Sequence, residues 1–292
     1  MDAILQIVIT GLTLGSMYAL GSVGLALTYG TMGMFNMAHG VFMTIGAYAS
    51  YTAATVWGLP LPVAIAFGIL AGGIVGALMH LLVVRFMLSR DDFQTTIMVA
   101  TAGVAILFQD LILKQFGAYP FKQPVQIEGM FRIGNTVIAY QSIAIMAMAA
   151  VLIGAMAWLL TKTRFGLAIR ATAMNQNAAK LMGVKTELTY LQVILIAGTL
   201  AAAAGILISS LASLSPGMGT NPLIRAFVIC VVAGLGSVTG AGLTAIALGV
   251  MEAGIGYYFG ARYGFPVMLG LVILVLIFRP AGLFGKQGVI RA

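Results

Sequence analysis

Charge is the first thing this sequence lacks. Only 8% of its 292 residues are Asp, Glu, Lys or Arg, against about 25% in an average soluble domain. None of them falls between Asp2 and Arg85. An ordinary soluble globular protein is therefore excluded. A bilayer span needs only about 20 apolar residues, so an uncharged run of that length must fold back on itself as several spans. Cys230 is the one cysteine, which excludes an internal disulfide. The two histidines, His39 and His80, stand in different stretches, and no H-E-x-x-H, paired cysteines or clustered carboxylates accompany them. The chain thus offers no catalytic set, no metal-ligand pattern and no cofactor loop. It also lacks G-x-x-x-x-G-K-[ST] and so has no Walker loop for ATP; if transport here uses ATP, another subunit hydrolyses it. A basic leader region is missing too. Asp2 opens an apolar stretch longer than the ~7–15 residues of a signal peptide, which reads as a retained span.

What is present is apolar and small: 61% hydrophobic residues and 37 glycines. Apolar stretches fall at about 4–28, 37–57, 61–84, 95–115, 135–160, 190–212, 226–236, 242–258 and 264–278. Breakers separate them at Gly58 to Pro62, Arg90-Asp91-Asp92, Gly117 to Arg132 and Ser215-Pro216-Gly217. The fold class is an all-α, polytopic helical membrane protein. It has about 8 transmembrane helices plus one short or re-entrant segment, in a single transmembrane domain over residues 1–292. In lipid, small residues carry helix packing because they let backbones approach. Pairs spaced for this occur at Gly11/Gly15, Gly72/Gly76, Gly236/Gly240 and Gly256/Gly260.

The net charge of +8 comes without any aromatic or glycine-basic nucleic-acid motif, and its placement matters more than its sum. Lys162, Arg164, Arg170, Lys180 and Lys185 share one segment, and Arg279, Lys286 and Arg291 lie near the end. Basic residues in short loops stay on the cytoplasmic side. The 85–92 loop, the 162–187 loop and the C-terminal tail are therefore assigned to the cytoplasm and the N-terminus to the outside. An even number of crossings must then separate residue 188 from the tail, yet only three stretches there are clearly long enough. The stretch near Phe227 is either a crossing completed by flanking residues or a re-entrant segment.

Four places are candidates for function. Residues 30–40, Gly-Thr-Met-Gly-Met-Phe-Asn-Met-Ala-His-Gly, interrupt two apolar runs. Irregular backbone at membrane depth needs protein or a water-filled cavity to satisfy it, so Asn36, His39 and Gly40 either line a path or cap the following helix. Asp110 and Lys114, four residues apart, are expected to pair locally on a helix. Arg225 follows Asn221-Pro222 and marks a segment edge, whereas Glu252 sits mid-stretch and must find a partner or a cavity, as a structural hydrogen-bond group or as part of a path or gate. In residues 162–187, Leu167, Ala171, Met174, Ala178 and Leu181 form one narrow apolar stripe, with Arg170, Thr172, Gln176 and Lys180 facing elsewhere. Asn175-Gln176-Asn177 can break this segment into two short helices. Such an element either lies on the membrane surface or docks in a partner's groove.

Four ordered blocks resemble the permease subunits of branched-chain amino acid ABC transporters. The first is Gly11-Leu12, Gly15, Tyr18-Ala19-Leu20, Gly24-Leu25, Tyr29-Gly30 and Asn36-Met37-Ala38-His39-Gly40. The second is Gly166-Leu167-Ala168-Ile169-Arg170-Ala171 with Asn175, Ala178-Ala179, Leu181 and Gly183-Val184. The third is Gly234-Leu235-Gly236-Ser237 with Gly240-Ala241, Gly249 and Glu252. The fourth is Arg279-Pro280, Gly282-Leu283-Phe284-Gly285. Met174, Gln176 and Asn177 depart from the acidic residue, proline and acidic residue that the family commonly carries.

The resemblance implies an importer of two permeases, expected as a heterodimer, with two ATP-binding subunits and an external solute-binding protein, in the bacterial inner membrane. It assigns Arg170, Ala171, Asn175, Ala178, Leu181 and Gly183, within a cytoplasmic coupling segment at about 162–189, to ATPase coupling. It leaves Asn36, His39, Gly40 and Glu252 as path candidates. The expected cargo is a branched-chain or related amino acid. Alternatives are urea or short amides carried by the same machine, and a stand-alone channel or secondary transporter.

Overall fold

The computed structural model describes residues 2–88, 92–134 and 136–285. Arg90 and Asp91 of the first predicted loop, and Lys286 and Arg291 of the predicted basic tail, lie outside the described residues. The helices are α1 (Asp2–Met32), α2 (His39–Thr55), α3 (Leu61–Met87, with a π-helical turn at His80–Val84), α4 (Phe93–Phe116) and α5 (Tyr140–Lys162). They continue with α6 (Arg164–Met174), α7 (Gln176–Leu181), α8 (Thr186–Leu211), α9 (Thr220–Ala233), α10 (Val238–Phe259) and α11 (Gly264–Phe278), the last preceded by a 3-10 turn at Ala261–Tyr263. Seven of these segments are long and apolar enough to cross a membrane. The chain is a multi-pass helical membrane protein.

α2, at 17 residues, is shorter and more polar than those seven, and its environment explains why. Thr44, Tyr48 and Ser50 are buried inside the bundle, so α2 does not meet lipid along that face. The peripheral helices α4, α5 and α11 instead expose large apolar side chains such as Val99, Ile106, Val151 and Ile277, the pattern expected where lipid is the solvent.

α1 and α10 are antiparallel partners along most of their length, and glycine makes the fit possible. A Cβ on Gly11 would stand 2.4 Å from Val250 Cα, one on Gly15 2.8 Å from Ile246 Cα, and one on Gly249 2.4 Å from Gly15 N. Towards the other end, Gly30 lies against the carbonyl of Gly236. Gly72 and Gly76 perform the same service between α3 and α8, against Gly198 and Ile194 carbonyls. The Gly256/Gly260 pair does not: Gly256 meets only Ala261 of the following turn, and nothing lies within 4 Å of Gly260.

One element departs from the all-helical expectation. Met130–Ile133 and Thr136–Ala139 form a two-stranded antiparallel hairpin (β1 and β2), with Met130 opposite Ala139 and Ile133 opposite Thr136. Thr136 donates its hydroxyl to the carbonyl of Asp2, which holds the hairpin over the start of α1.

The short late stretch is a pass completed by flanking residues. α9 begins at Thr220, six residues before the apolar stretch, with Asn221 and Pro222 in its first turn. Proline is tolerated there because the first backbone N–H groups of a helix have no internal partner. Before α9, Leu214 and Phe121 exchange both backbone hydrogen bonds at 2.9 Å, placing the 212–219 turn at the end of the bundle where α4 finishes. After α9, Leu283 N–H donates to Val232 O and Phe284 N–H to Ala233 O, both at 2.8 Å. That closure satisfies two terminal carbonyls of α9 at the opposite end, where α1 also finishes. The 212–219 segment with α9 thus runs from one end of the bundle to the other, alongside the long apolar helices α8, α10 and α11.

Candidate translocation path and coupling surface

Asn36, His39 and Gly40 lie where the chain between α1 and α2 is broken inside the bundle, whereas Glu252 lies within the continuous α10. From the end of α1 the chain re-enters the protein without regular structure. Gly33 lies near Gln94, the backbone N–H of Met37 donates to Thr101 Oγ1 at 3.1 Å, and His39 stands beside Gly24 and Ala197. Gly24 is eight residues back from the end of α1, so α2 starts roughly 12 Å inside the bundle at about 1.5 Å per residue.

Asn36 is buried, and its Oδ1 accepts the N–H of Ala38 at 3.0 Å while its Nδ2 has no partner among the described residues. His39 is fully buried, with Nε2 2.9 Å from the carbonyl of Gly21. A carbonyl can only accept, so Nε2 carries the proton and Nδ1 is left as an acceptor, also without a partner among the described residues. Gly40 meets Gly219 backbone to backbone: a Cβ on Gly219 would fall 2.6 Å from the carbonyl carbon of Gly40. The broken start of α2 and the segment leading into α9 thus touch in the interior. Beside this contact is a cavity of about 400 Å³, lined by Met37, Gly40, Thr44, Gln109, Gly219 and Leu223 and bordered on the α4 side by the exposed Val99 and Ile106.

Glu252 finds its partner in a residue the sequence reading had set at a segment edge. Arg225 Nη1 donates to Glu252 Oε1 at 2.5 Å and also to the hydroxyl of Tyr18. Tyr18 in turn donates to Glu252 Oε2 at 2.9 Å. The guanidinium lies over the rings of Tyr18 and Phe265, 5.2 and 5.6 Å from their centroids. The cluster joins α1, α9, α10 and α11. Burial of a lone charge at membrane depth is costly, so the paired arrangement accounts for the presence of both residues. Asp110 and Lys114 form the expected local pair at 3.0 Å, and both are exposed.

The predicted coupling segment, at about 162–189, packs on the end of the bundle where α1 finishes. Thr163 caps α6 by accepting the N–H of Gly166, and Gly166 packs on the Leu159 and Leu160 carbonyls. Asn175 ends α6 and caps α7, its Oδ1 accepting the N–H of Ala178 at 3.0 Å, so the predicted break falls at that residue. α7 closes with Val184 N–H on Ala179 O and Gly183 N–H on Lys180 O. That double closure needs a left-handed residue, supplied by Gly183 at φ +85°.

Gly166, Ile169, Thr172 and Ala179 face the bundle and are buried. Arg170 is exposed, Ala171 is half-buried, and Asn175 and Ala178 are exposed. The apolar stripe points outward, with Met174 87% and Leu181 89% accessible, and Met182, which the stripe did not include, 85%. Its spacing was legible in the sequence; its direction was not, because Ile169 and Thr172 are as well spaced to form the buried face.

A chain assembled this way, with broken helices meeting in its interior and an amphipathic element packed on one end, has the architecture of a membrane transport protein. Comparison with known proteins gives the family. Residues 7–278 match the family described as branched-chain amino acid transport system / permease component. The chain is 31% identical to the high-affinity branched-chain amino acid transport system permease protein BraD of Pseudomonas aeruginosa, over 98% of this chain and 97% of the relative. It is 28% identical to LivH of Escherichia coli K12, over 98% and 96%. Its identity to a probable LivH of Methanocaldococcus jannaschii is also 28%, over 90% and 87%. The chain belongs to this permease family.

Proposed function

We propose that the protein is the membrane-spanning subunit of an ABC importer in the bacterial inner membrane, forming one transmembrane permease domain with its N-terminus outside and its C-terminus cytoplasmic. It carries branched-chain or related amino acids delivered by an external solute-binding protein. It works beside a second permease, as a heterodimer, and two ATP-binding subunits. The observation that carries this reading is the outward-facing apolar stripe of α6 and α7, Met174 and Leu181 above all, in a chain with no nucleotide-binding loop of its own. Exposed apolar groups rimmed by Arg170 and Lys180 fit a groove on an ATPase. Closure of the ATPase pair would move this element as a rigid body and switch the bundle between outward-open and inward-open arrangements. The contact of Gly40 with Gly219 and the cavity beside it support a path between the broken helices, with Asn36 and His39 fixing the break and Glu252 held by Arg225.

The test is reconstitution in proteoliposomes with cognate permease, ATPases and binding protein. The expected result is ATP hydrolysis stimulated by loaded binding protein and ATP-dependent leucine uptake. Absence of both in assembled complex, or uptake that persists without the ATPases, overturns the reading. Strong competition by urea or acetamide would move the cargo to amides while leaving the machine as described.

A further inference from the structure

Arg225 has more hydrogen-bonding capacity than its ion pair uses. A guanidinium carries five N–H donors in a fixed fork, and both of its hydrogen bonds, to Glu252 and to Tyr18, run through Nη1. Nε and Nη2 make no hydrogen bond among the described residues. The side chain keeps 25% of its accessibility, against 11% for Glu252. That accessible part borders a cavity of about 370 Å³, whose lining includes Leu14, Met17, Ile208, Met218 and Asn221. The cavity reaches Leu211, Ala212 and Ser213 at the turn after α8, which are exposed at the end of the bundle opposite the coupling segment. Here a wall of mostly apolar side chains, with Tyr18, Ser213, Ser215 and Asn221 as its other polar members, carries a cation with free donors, held in place by a carboxylate on one edge and by two aromatic rings.

We propose that Arg225 receives the α-carboxylate of the amino acid at the outer mouth of the path, with Leu14, Met17, Ile208 and Met218 contacting its aliphatic side chain. The proposal rests on the importer reading and names the group that recognises its cargo. The free edge of a guanidinium matches a carboxylate by two parallel hydrogen bonds, which a lysine ammonium does not reproduce. Glu252 occupies the other edge and keeps Arg225 aimed while the cavity is empty. Arriving cargo therefore meets a cation that is partly desolvated and already oriented, and the second carboxylate weakens its hold enough for the cargo to move on. The apolar part of the wall, Leu14, Met17, Ile208 and Met218, accounts for a preference for aliphatic side chains.

The experiment measures leucine and leucinol, which lacks the carboxylate, by saturation-transfer NMR on the purified permease–ATPase complex without binding protein, and leucine uptake by the full reconstituted transporter. Wild type is expected to show a leucine signal at least about tenfold stronger in apparent affinity than leucinol, the factor that 1.4 kcal/mol represents. Arg225→Lys keeps the charge and the pairing with Glu252, and so serves as the variant that folds. It is expected to bring leucine down to the leucinol level and to slow uptake by a similar factor. Arg225→Gln combined with Glu252→Gln removes both charges and is expected to do the same. Equal leucine and leucinol signals in wild type, or Arg225→Lys with wild-type binding and uptake, overturn the carboxylate assignment. Wild-type complex that takes up no amino acid at all overturns the importer reading instead, so the two failures are told apart.

Discussion

Arg225 on α9 and Glu252 on α10 pair inside the bundle, and Tyr18 of α1 closes the cluster by bonding to both. Neither charge is sustained alone: removing one partner of a buried pair leaves the other uncompensated, at a cost of about 3–5 kcal/mol. Glu252→Ala is expected at the lower end, roughly 3 kcal/mol, because Arg225 retains some access to a cavity. Thermal unfolding of the purified complex in detergent is the readout. Glu252→Ala combined with Arg225→Met should recover most of the loss; no recovery would show that the two residues act independently.

Gly249 lies against both Gly15 and Gly11, where an added Cβ would come within 2.4 Å of backbone N and 2.6 Å of a carbonyl oxygen. Neither neighbour is the end of a flexible side chain, so α1 and α10 must separate. Gly249→Ala is expected to cost at least ~1–3 kcal/mol and to reduce the monodisperse fraction on gel filtration. Gly103, Gly154 and Gly270 have no atom within 4 Å of an added Cβ. Alanine at those positions is expected to be neutral or to stabilise by up to about 1 kcal/mol through helix propensity.

Met174 and Leu181 make no contact that holds the bundle together, given their exposure. Met174→Ser and Leu181→Ser are therefore expected to leave insertion and thermal stability within about 0.5 kcal/mol of wild type. Pull-down of the ATPase subunits and ATP-driven uptake are expected to fall together, about tenfold if each side chain fills a pocket in the partner. Retained ATPase binding in the double variant would remove α6 and α7 from the interface.

Asn175 and Gly183 shape that surface without forming it. Asn175→Ala removes a helix cap worth about 1 kcal/mol, and Gly183→Val forces a branched residue to a φ of +85°. Both are expected to loosen α7 locally and to uncouple ATP hydrolysis from uptake while the spans stay folded. Hydrogen exchange confined to residues 176–185 is the signature; exchange spreading into α8 would place the defect in the bundle.

Much of the fold was readable because its governing physics is local. Charge-free runs marked the spans and Asn175 marked the break between α6 and α7, while the stretch near Phe227 stayed open between a completed crossing and a re-entrant segment. Asn221-Pro222 was read only as preceding a segment edge at Arg225, and with Thr220 these residues form the first turn of α9, since the same residues suit a loop and a helix start. The hairpin was missed although Gly134-Asn135 is a recognisable two-residue turn signal; the strands around it are only four residues long and flanked by polar sequence. The pairing of Glu252 with Arg225 and Tyr18 required knowing how α1, α9 and α10 are arranged, and no residue-level pattern encodes that. The same holds for Asn36 and His39, whose motif marked the break in the chain but not its depth beside Gly24.

The cap that Leu283 and Phe284 place on α9 also imposes an order on biogenesis. Val232 and Ala233 leave the ribosome long before the two backbone N–H groups that satisfy them. Until Leu283 and Phe284 are made, those two carbonyls lack these donors, so α9 gains its full set of hydrogen bonds only once the chain after α11 is in place.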